Sequence, residues 1–279
     1  MIFPNVSHYL SKRITRLRYS SIILVCAGNN SDKYSEEHLR DALYVDLDKD
    51  LAEVPSNPAI GGRHPLPTLD KFLELIRNLG ITKKSHVVIY DDQNGANAAA
   101  RFWWMLKAVG VEKVQVLSGG LAKAKQNGYP TSMEVIKPSP TENAIKVNQW
   151  QLSLADISFM KEIYKDPTYT IIDVRDSTRY KGVAEPIDLI AGHIPNAINI
   201  PFGKNLASDG QFKTPDELKI FYNTLLKGKD LQKIVVHCGS GVTACHTLIA
   251  MVHAGLQPPM LYVGSWSEWS RNNLPIETL

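Results

Sequence analysis

Cysteine is scarce in this chain. Cys26, Cys238 and Cys245 are the only three, an odd number set far apart in 279 residues. That pattern argues against a disulfide framework and favours a reducing compartment, so the cytoplasm is the expected location. Long apolar runs are also missing. None approaches the roughly 20 residues that span a bilayer, which argues against a membrane-embedded protein. Charge of one sign is nearly balanced, with 31 Lys and Arg against 28 Asp and Glu. A net charge of +3, without basic clusters interleaved with aromatics, provides no nucleic-acid face. The N-terminal "MIFPNVSHYLSKRITRLRYSS" is basic but lacks an apolar core and a small-residue cleavage site. It reads as a first surface helix rather than a transit peptide. What is present is an ordinary globular composition, 44% hydrophobic and 21% charged, and a length comfortable for two domains.

The chain repeats itself. "HVVIYDDQNGANAAARFWWMLKAVGVEKVQVLSGGLAKAKQNGYP" reads strand, loop, helix, strand, Gly turn, helix, and "KIVVHCGSGVTACHTLIAMVHAGLQPPMLYVGSWSEWSRNNLP" gives the same order. Asp91 and Cys238 stand 147 residues apart; Gly119 and Gly264, and likewise Pro130 and Pro275, stand 145 apart. Upstream, "EEHLRDALYVDLD" pairs with "AGHIPNAINIPFG", with His38 and His193 155 apart. Two copies of one large unit account for such spacing, and a short-period solenoid does not.

The runs "SIILVCA", "HVVIY", "YTIIDV" and "KIVVH" are rich in Val and Ile without clean alternation, as suits a parallel sheet covered on both faces. Between such runs lie helical patterns. "TLDKFLELIRNLG" closes on Gly, and "TPDELKIFYNTLLKG" opens on Thr-Pro and closes on Gly. The predicted fold class is therefore α/β, with two tandem three-layer domains, each a mainly parallel sheet covered by helices. The first copy is expected over 1–130 and the second over 148–279. The polar, Pro-containing stretch 131–147 serves as linker.

The most informative segment is "VVHCGSGVTACHT". A strand leads into Cys238, two glycines follow, and a helix begins near Thr243. Open α/β sheets place ligands at such strand ends. Gly239 and Gly241 permit a tight turn whose amides point inward and form an anion nest. A thiolate on Cys238 would be stabilised by those amides and by the helix N-terminus. A buried filler cysteine needs no such nest. Zinc is disfavoured, because Cys238, Cys245, His246 and His253 do not show metal-ligand spacing, so no metal is expected. A cysteine phosphatase needs an arginine in the loop for a doubly charged phosphate. Ala244 stands six residues beyond Cys238, and no arginine lies between 238 and 254. The loop reads as a nucleophile in an anion cradle, without phosphoryl chemistry.

"CGSGVT", "GHIPNAINIPF", the terminal "YVGSWSEW" and the duplicated halves together resemble two-domain rhodanese-type sulfurtransferases, from about residue 20 onward. The resemblance implies two rhodanese-like domains with no cofactor, a catalytic second copy and a silent first copy, in which Asp91 replaces the nucleophile. It implies that Cys238 carries sulfur as a persulfide from a small-molecule donor to a thiol, thioredoxin-like or cyanide acceptor. A monomer is expected.

"CGSGVT", with neutral Gly239 and Ser240, is similar to the form found in the branch of the family that uses 3-mercaptopyruvate. Thiosulfate users carry basic side chains there. By that likeness Ser240 works with His64 and Asp48 of the first copy, and Arg179 binds the donor carboxylate. Gly239, Gly241, Val242 and Thr243 line the donor. One departure stands out. The family commonly has a second substrate arginine in a "Glu-Pro-Arg" run, and here "AEPIDLIAG" places Ile187 there. Weaker mercaptopyruvate binding, an arginine from elsewhere such as Arg63, or another thiol donor would each be compatible. Thiosulfate:cyanide transfer and a non-catalytic persulfide carrier are the alternative functions. Asp173 and Arg175 are expected to brace the strand end, with His193 packed beside that turn. The aromatics of "FWWML" are expected in a helix–sheet core, and Trp266 and Trp269 are expected to close the second domain beside the active loop.

Overall fold

The computed structural model describes residues 22–279. The N-terminal segment read as a surface helix lies outside the described residues. The chain forms two compact units. One comprises the described residues through Ala52 together with Pro67–Gln151 and Ser208–Phe212; the other comprises Glu53–Leu66, Leu152–Ala207 and Lys213–Leu279. Among the described residues, no helix is long and apolar enough to cross a membrane.

In the first unit, strands β1 (Ile22–Gly28), β3 (Leu43–Asp46), β4 (His86–Tyr90) and β5 (Lys113–Val116) form a parallel sheet in the order β3-β1-β4-β5. A short antiparallel pair joins β2 (His38–Leu39) to β6 (Thr131–Ser132), so the start of the expected linker is paired strand. The helix Ala98–Ala108 buries Phe102, Trp103 and Trp104, the core position expected for "FWWML". Trp150 packs on Phe72 and Trp104. The Gln151 amide donates to the Ala108 carbonyl at 2.8 Å, which holds the chain to this unit up to the point where it passes into the second.

In the second unit, β7 (Leu154–Ala155), β8 (Thr170–Asp173), β9 (Ile198–Asn199), β10 (Ile234–His237) and β11 (Met260–Tyr262) pair in parallel in the order β7-β11-β10-β8-β9. Reversed, β9-β8-β10-β11 reproduces the first sheet, with β7 added at one edge. Parallel strands need crossover helices, and these cover the sheet faces. The helix Pro215–Leu225 starts where Thr-Pro predicts. Thr214 and Glu217 close a reciprocal capping box around its first turn.

Duplication extends to side chains. In the first unit the His38 ring stacks on Tyr34 at 4.0 Å and its Nδ1 meets the Tyr34 carbonyl at 2.7 Å. In the second, His193 stacks on Tyr180 at 3.8 Å with Nδ1 at 2.8 Å from the Tyr180 carbonyl. Both histidines are buried braces of their turns.

Candidate active site

Cys238 follows the last residue of β10 directly and is buried, with 3% of its surface exposed. All three cysteines are free thiols. The next residues turn sharply before the helix Ala244–His253 begins. Gly241 makes that turn possible, with φ at +72° and Val263 pressed against the space where a side chain would start. The loop is fastened from one side. The Cys238 amide donates to Ser265 Oγ at 3.2 Å, the Trp266 amide to the Cys238 carbonyl at 3.0 Å, and the Ser267 amide to the Gly239 carbonyl at 2.8 Å.

The equivalent turn in the first unit shows what such a loop does. Asp91 is 1% exposed. The amides of Gln93 and Gly95 donate to its Oδ1 at 2.9 and 2.7 Å, and those of Asn97 and Ala99 to Oδ2 at 3.1 and 3.3 Å. The turn thus directs successive N–H groups onto the side chain of its first residue, and in this copy a carboxylate accepts them. In the Cys238 turn, the amides of Gly239, Ser240, Val242 and Thr243 have no hydrogen-bond partner among the described residues. They remain available to an anion carried on Cys238. Val242 is buried and Thr243 half-buried at the helix start.

Ser240 Oγ and His64 Nδ1 are 2.8 Å apart. The sequence places His64 in the first copy, yet Glu53–Leu66 packs as part of the second unit. The reason is local. Gly61 donates its amide to Glu268 Oε1 at 2.7 Å, Arg63 donates its own to Ser267 Oγ at 3.0 Å, and Asn272 Nδ2 donates to the Ala59 carbonyl at 2.8 Å. Gly62, with φ at +81°, lies so close to Gly264 that a Cβ would fall 2.3 Å from its carbonyl oxygen. The helix Ser265–Trp269 therefore holds both the Cys238 loop and the His64 loop. Asp48 belongs to the first unit, in the short helix Leu47–Asp50, where its amide donates to Asp46 Oδ1 at 3.0 Å.

Arg179 lies in the short helix Ser177–Tyr180. Its guanidinium meets both Glu185 oxygens at 2.9 Å and Asp188 Oδ2 at 3.1 Å. Burial opposes the charge on Glu185. Hydrogen bonds from Arg179 and from the Asp188 and Ile187 amides, with the guanidinium's own charge, outweigh burial and hold the carboxyl below its ordinary range. Arg175 braces the strand end as expected, gripping Asp173 and the Gly192 carbonyl and stacking 4.4 Å from the Trp266 ring. Beside Cys238, burial pushes the His237 imidazole below its ordinary value, against the pull of the Asp173 carboxylate. Its Nδ1 faces the Cys238 carbonyl at 3.2 Å. Cys245 is core, its thiol donating back to the Gly241 carbonyl at 3.4 Å.

Sequence reasoning passed over Asp188, Glu185, Arg271 and the serines of "GSWSEW". An acidic loop and a polar helix carry no local sign of a tertiary role. The positive φ of Ser265, +55°, is visible only in the fold.

The rhodanese-like domain family matches residues 28–127 and 157–272. The chain belongs to the rhodanese family. The chain is 38% identical over 242 residues to a Pseudomonas aeruginosa protein named "Probable 3-mercaptopyruvate sulfurtransferase", covering 85% of this chain and 82% of that one. It is 33% identical over 251 residues to human 3-mercaptopyruvate sulfurtransferase (88% and 82% covered). Rat thiosulfate sulfurtransferase is 33% identical over 248 residues (87% and 80% covered). Among solved structures, the 3-mercaptopyruvate sulfotransferase SseA from Escherichia coli superposes with a TM-score of 0.75 at 29% identity, covering 94% of this chain and 98% of that one. The chain is a two-domain rhodanese-type sulfurtransferase.

Proposed function

We propose that this sulfurtransferase takes sulfur from 3-mercaptopyruvate onto Cys238 and passes it to a thiol, a thioredoxin-like protein or cyanide. The observation that carries the reading is the 2.8 Å contact between His64 and Ser240 beside a loop with no cation of its own. Once mercaptopyruvate has given up its sulfur, pyruvate leaves as its enolate, which needs a proton delivered near the breaking carbon–sulfur bond, and a hydroxyl–imidazole pair supplies one.

In the first step the Cys238 thiolate attacks the donor sulfur. The donor's carbon–sulfur bond breaks, its electron pair stays on carbon, and protonation yields pyruvate. Cys238 keeps the sulfur as a persulfide, stabilised by the loop amides. In the second step a nucleophilic acceptor attacks the outer sulfur and the Cys238 thiolate returns. Ser240 and His64 are assigned to polarise and protonate the departing group. Arg179 binds the donor carboxylate, and Gly239, Gly241, Val242 and Thr243 form the cradle.

Thiosulfate is the second reading. The rat relative bears that name, and three arginines stand near the loop mouth. Comparison of kcat/KM for the two donors decides between them. Intact mass after donor treatment should rise by one sulfur atom in the unsubstituted protein and not in Cys238→Ser. Sulfur transfer retained by Cys238→Ser would overturn the assignment of the carrier.

A further inference from the structure

Ile187 stands where the family pattern places a second donor arginine, and it is 55% exposed. Three guanidinium groups nevertheless converge beside it. Arg63 Nε lies 2.9 Å from Asp188 Oδ1, Arg179 Nη2 3.1 Å from Oδ2, and Arg271 Nη1 3.3 Å from Oδ1. The Asp188 side chain is wholly buried among them, whereas Arg63 is the most open of the three, 25% exposed against 16% for Arg179 and 20% for Arg271. The residue after the nucleophile fixes their location. A Cβ on Gly239 would lie 3.1 Å from Arg63 Nη2, 3.3 Å from Arg179 Nη2 and 3.3 Å from Asp188 Oδ2. Both guanidinium groups, with the carboxylate that pins them, thus stand against one point of the Cys238 loop.

Arg175 pairs with Asp173 and with Glu185, which it shares with Arg179. Arg63, Arg179 and Arg271 all gather on the single carboxylate of Asp188. The backbone of Arg63 is fixed too, through its amide on Ser267 and through Gly62 against Gly264.

We propose that Arg63, pinned by Asp188 over Gly239, is the second guanidinium that receives the donor's carboxylate. It takes the place left vacant by Ile187, from a different part of the chain. The proposal rests on the mercaptopyruvate reading. Asp188 is a positioning residue: it orients Arg63 and Arg179 toward one point and sets the net charge there.

The experiment measures steady-state transfer from mercaptopyruvate and from mercaptoacetone, which has the same thiol and ketone but no carboxylate. Arg63→Ala should raise KM for mercaptopyruvate about 10- to 100-fold, the range of one charge-assisted contact. Its kcat/KM for mercaptoacetone should fall far less than that for mercaptopyruvate, and circular dichroism should show the variant folded. Arg63→Lys should recover part of the loss. Asp188→Asn should raise the ratio of kcat/KM for thiosulfate over mercaptopyruvate severalfold, whereas a purely structural role would depress both donors alike. An unchanged mercaptopyruvate KM in Arg63→Ala, or equal damage with mercaptoacetone, overturns the role of Arg63 alone. Failure of the unsubstituted protein to load sulfur from mercaptopyruvate overturns the donor reading and the proposal with it.

Discussion

Replacing Gly241 by alanine tests whether the shape of the Cys238 turn governs transfer. The backbone there has φ at +72°, and an added Cβ would stand 2.4 Å from the Val263 carbonyl oxygen and 2.8 Å from the Val263 Cα. Neither obstacle is a side chain that can rotate away, so one backbone segment must give. A left-handed conformation costs an L-residue about 1–2 kcal/mol, and forced overpacking adds about 1–3 kcal/mol. At about 2–4 °C per kcal/mol for a protein of this size, Tm should fall by roughly 5–15 °C. The functional loss should be larger than the structural one. Displacement of reacting groups by about 1 Å lowers rates on the order of 100-fold. Below the new Tm, Gly241→Ala should therefore remain folded by circular dichroism while kcat/KM drops about 100-fold. Intact mass after donor treatment would show slow gain of sulfur. An alanine variant that melts like the parent and keeps most of its kcat/KM would refute the argument that this turn holds the thiol in a defined cradle.

Arg179→Ala should chiefly raise the donor's KM, with kcat less affected, because a carboxylate contact is made before and during the reaction alike; an unchanged KM in steady-state assays counts against it. Asp91→Ala should destabilise the first unit by about 2–5 kcal/mol in urea unfolding, since four amides, two of them fully buried, lose their acceptor. The specific activity of the folded protein should be nearly unchanged, and a loss of kcat would give the first copy a direct part in the chemistry. Glu185 has a folded pKa below its ordinary 4.5, so its stabilising contribution is complete above that value and is lost as acid carries the pH through the lower folded one. Glu185→Gln should therefore flatten the acid limb of a Tm-versus-pH curve, and parallel acid limbs would refute this.

Much of the architecture was legible because it rests on local chemistry repeated along the chain. Val and Ile runs mark β1, β4, β8 and β10, and Thr214-Pro215 marks a helix start. The spacing from Asp91 to Cys238 marks the duplication. The candidate nucleophile was legible for the same reason, since two glycines flanking Ser240 after a strand impose a particular turn. Other parts depend on contacts distant in sequence. That residues 53–66 pack with the second unit follows from Glu268, Ser267 and Gly264, more than 200 positions away from their partners. Ile187 was visible as a departure. Its counterpart Arg63 sits directly before His64, where nothing in the local pattern links it to Asp188.

The Asp91 turn carries a further lesson. In an aspartate the charged oxygens stand two bonds beyond Cβ. In a cysteine persulfide the outer sulfur stands two bonds beyond Cβ as well, and bears the charge. Under the proposed persulfide route, the Asp91 carboxylate in the first copy is the counterpart of the outer sulfur in the second. Its four amide contacts, from 2.7 to 3.3 Å, show how a turn of this kind gathers backbone donors around its first residue. The first copy fills that position with a permanent side chain, where the proposal has the second fill and empty it at each turnover.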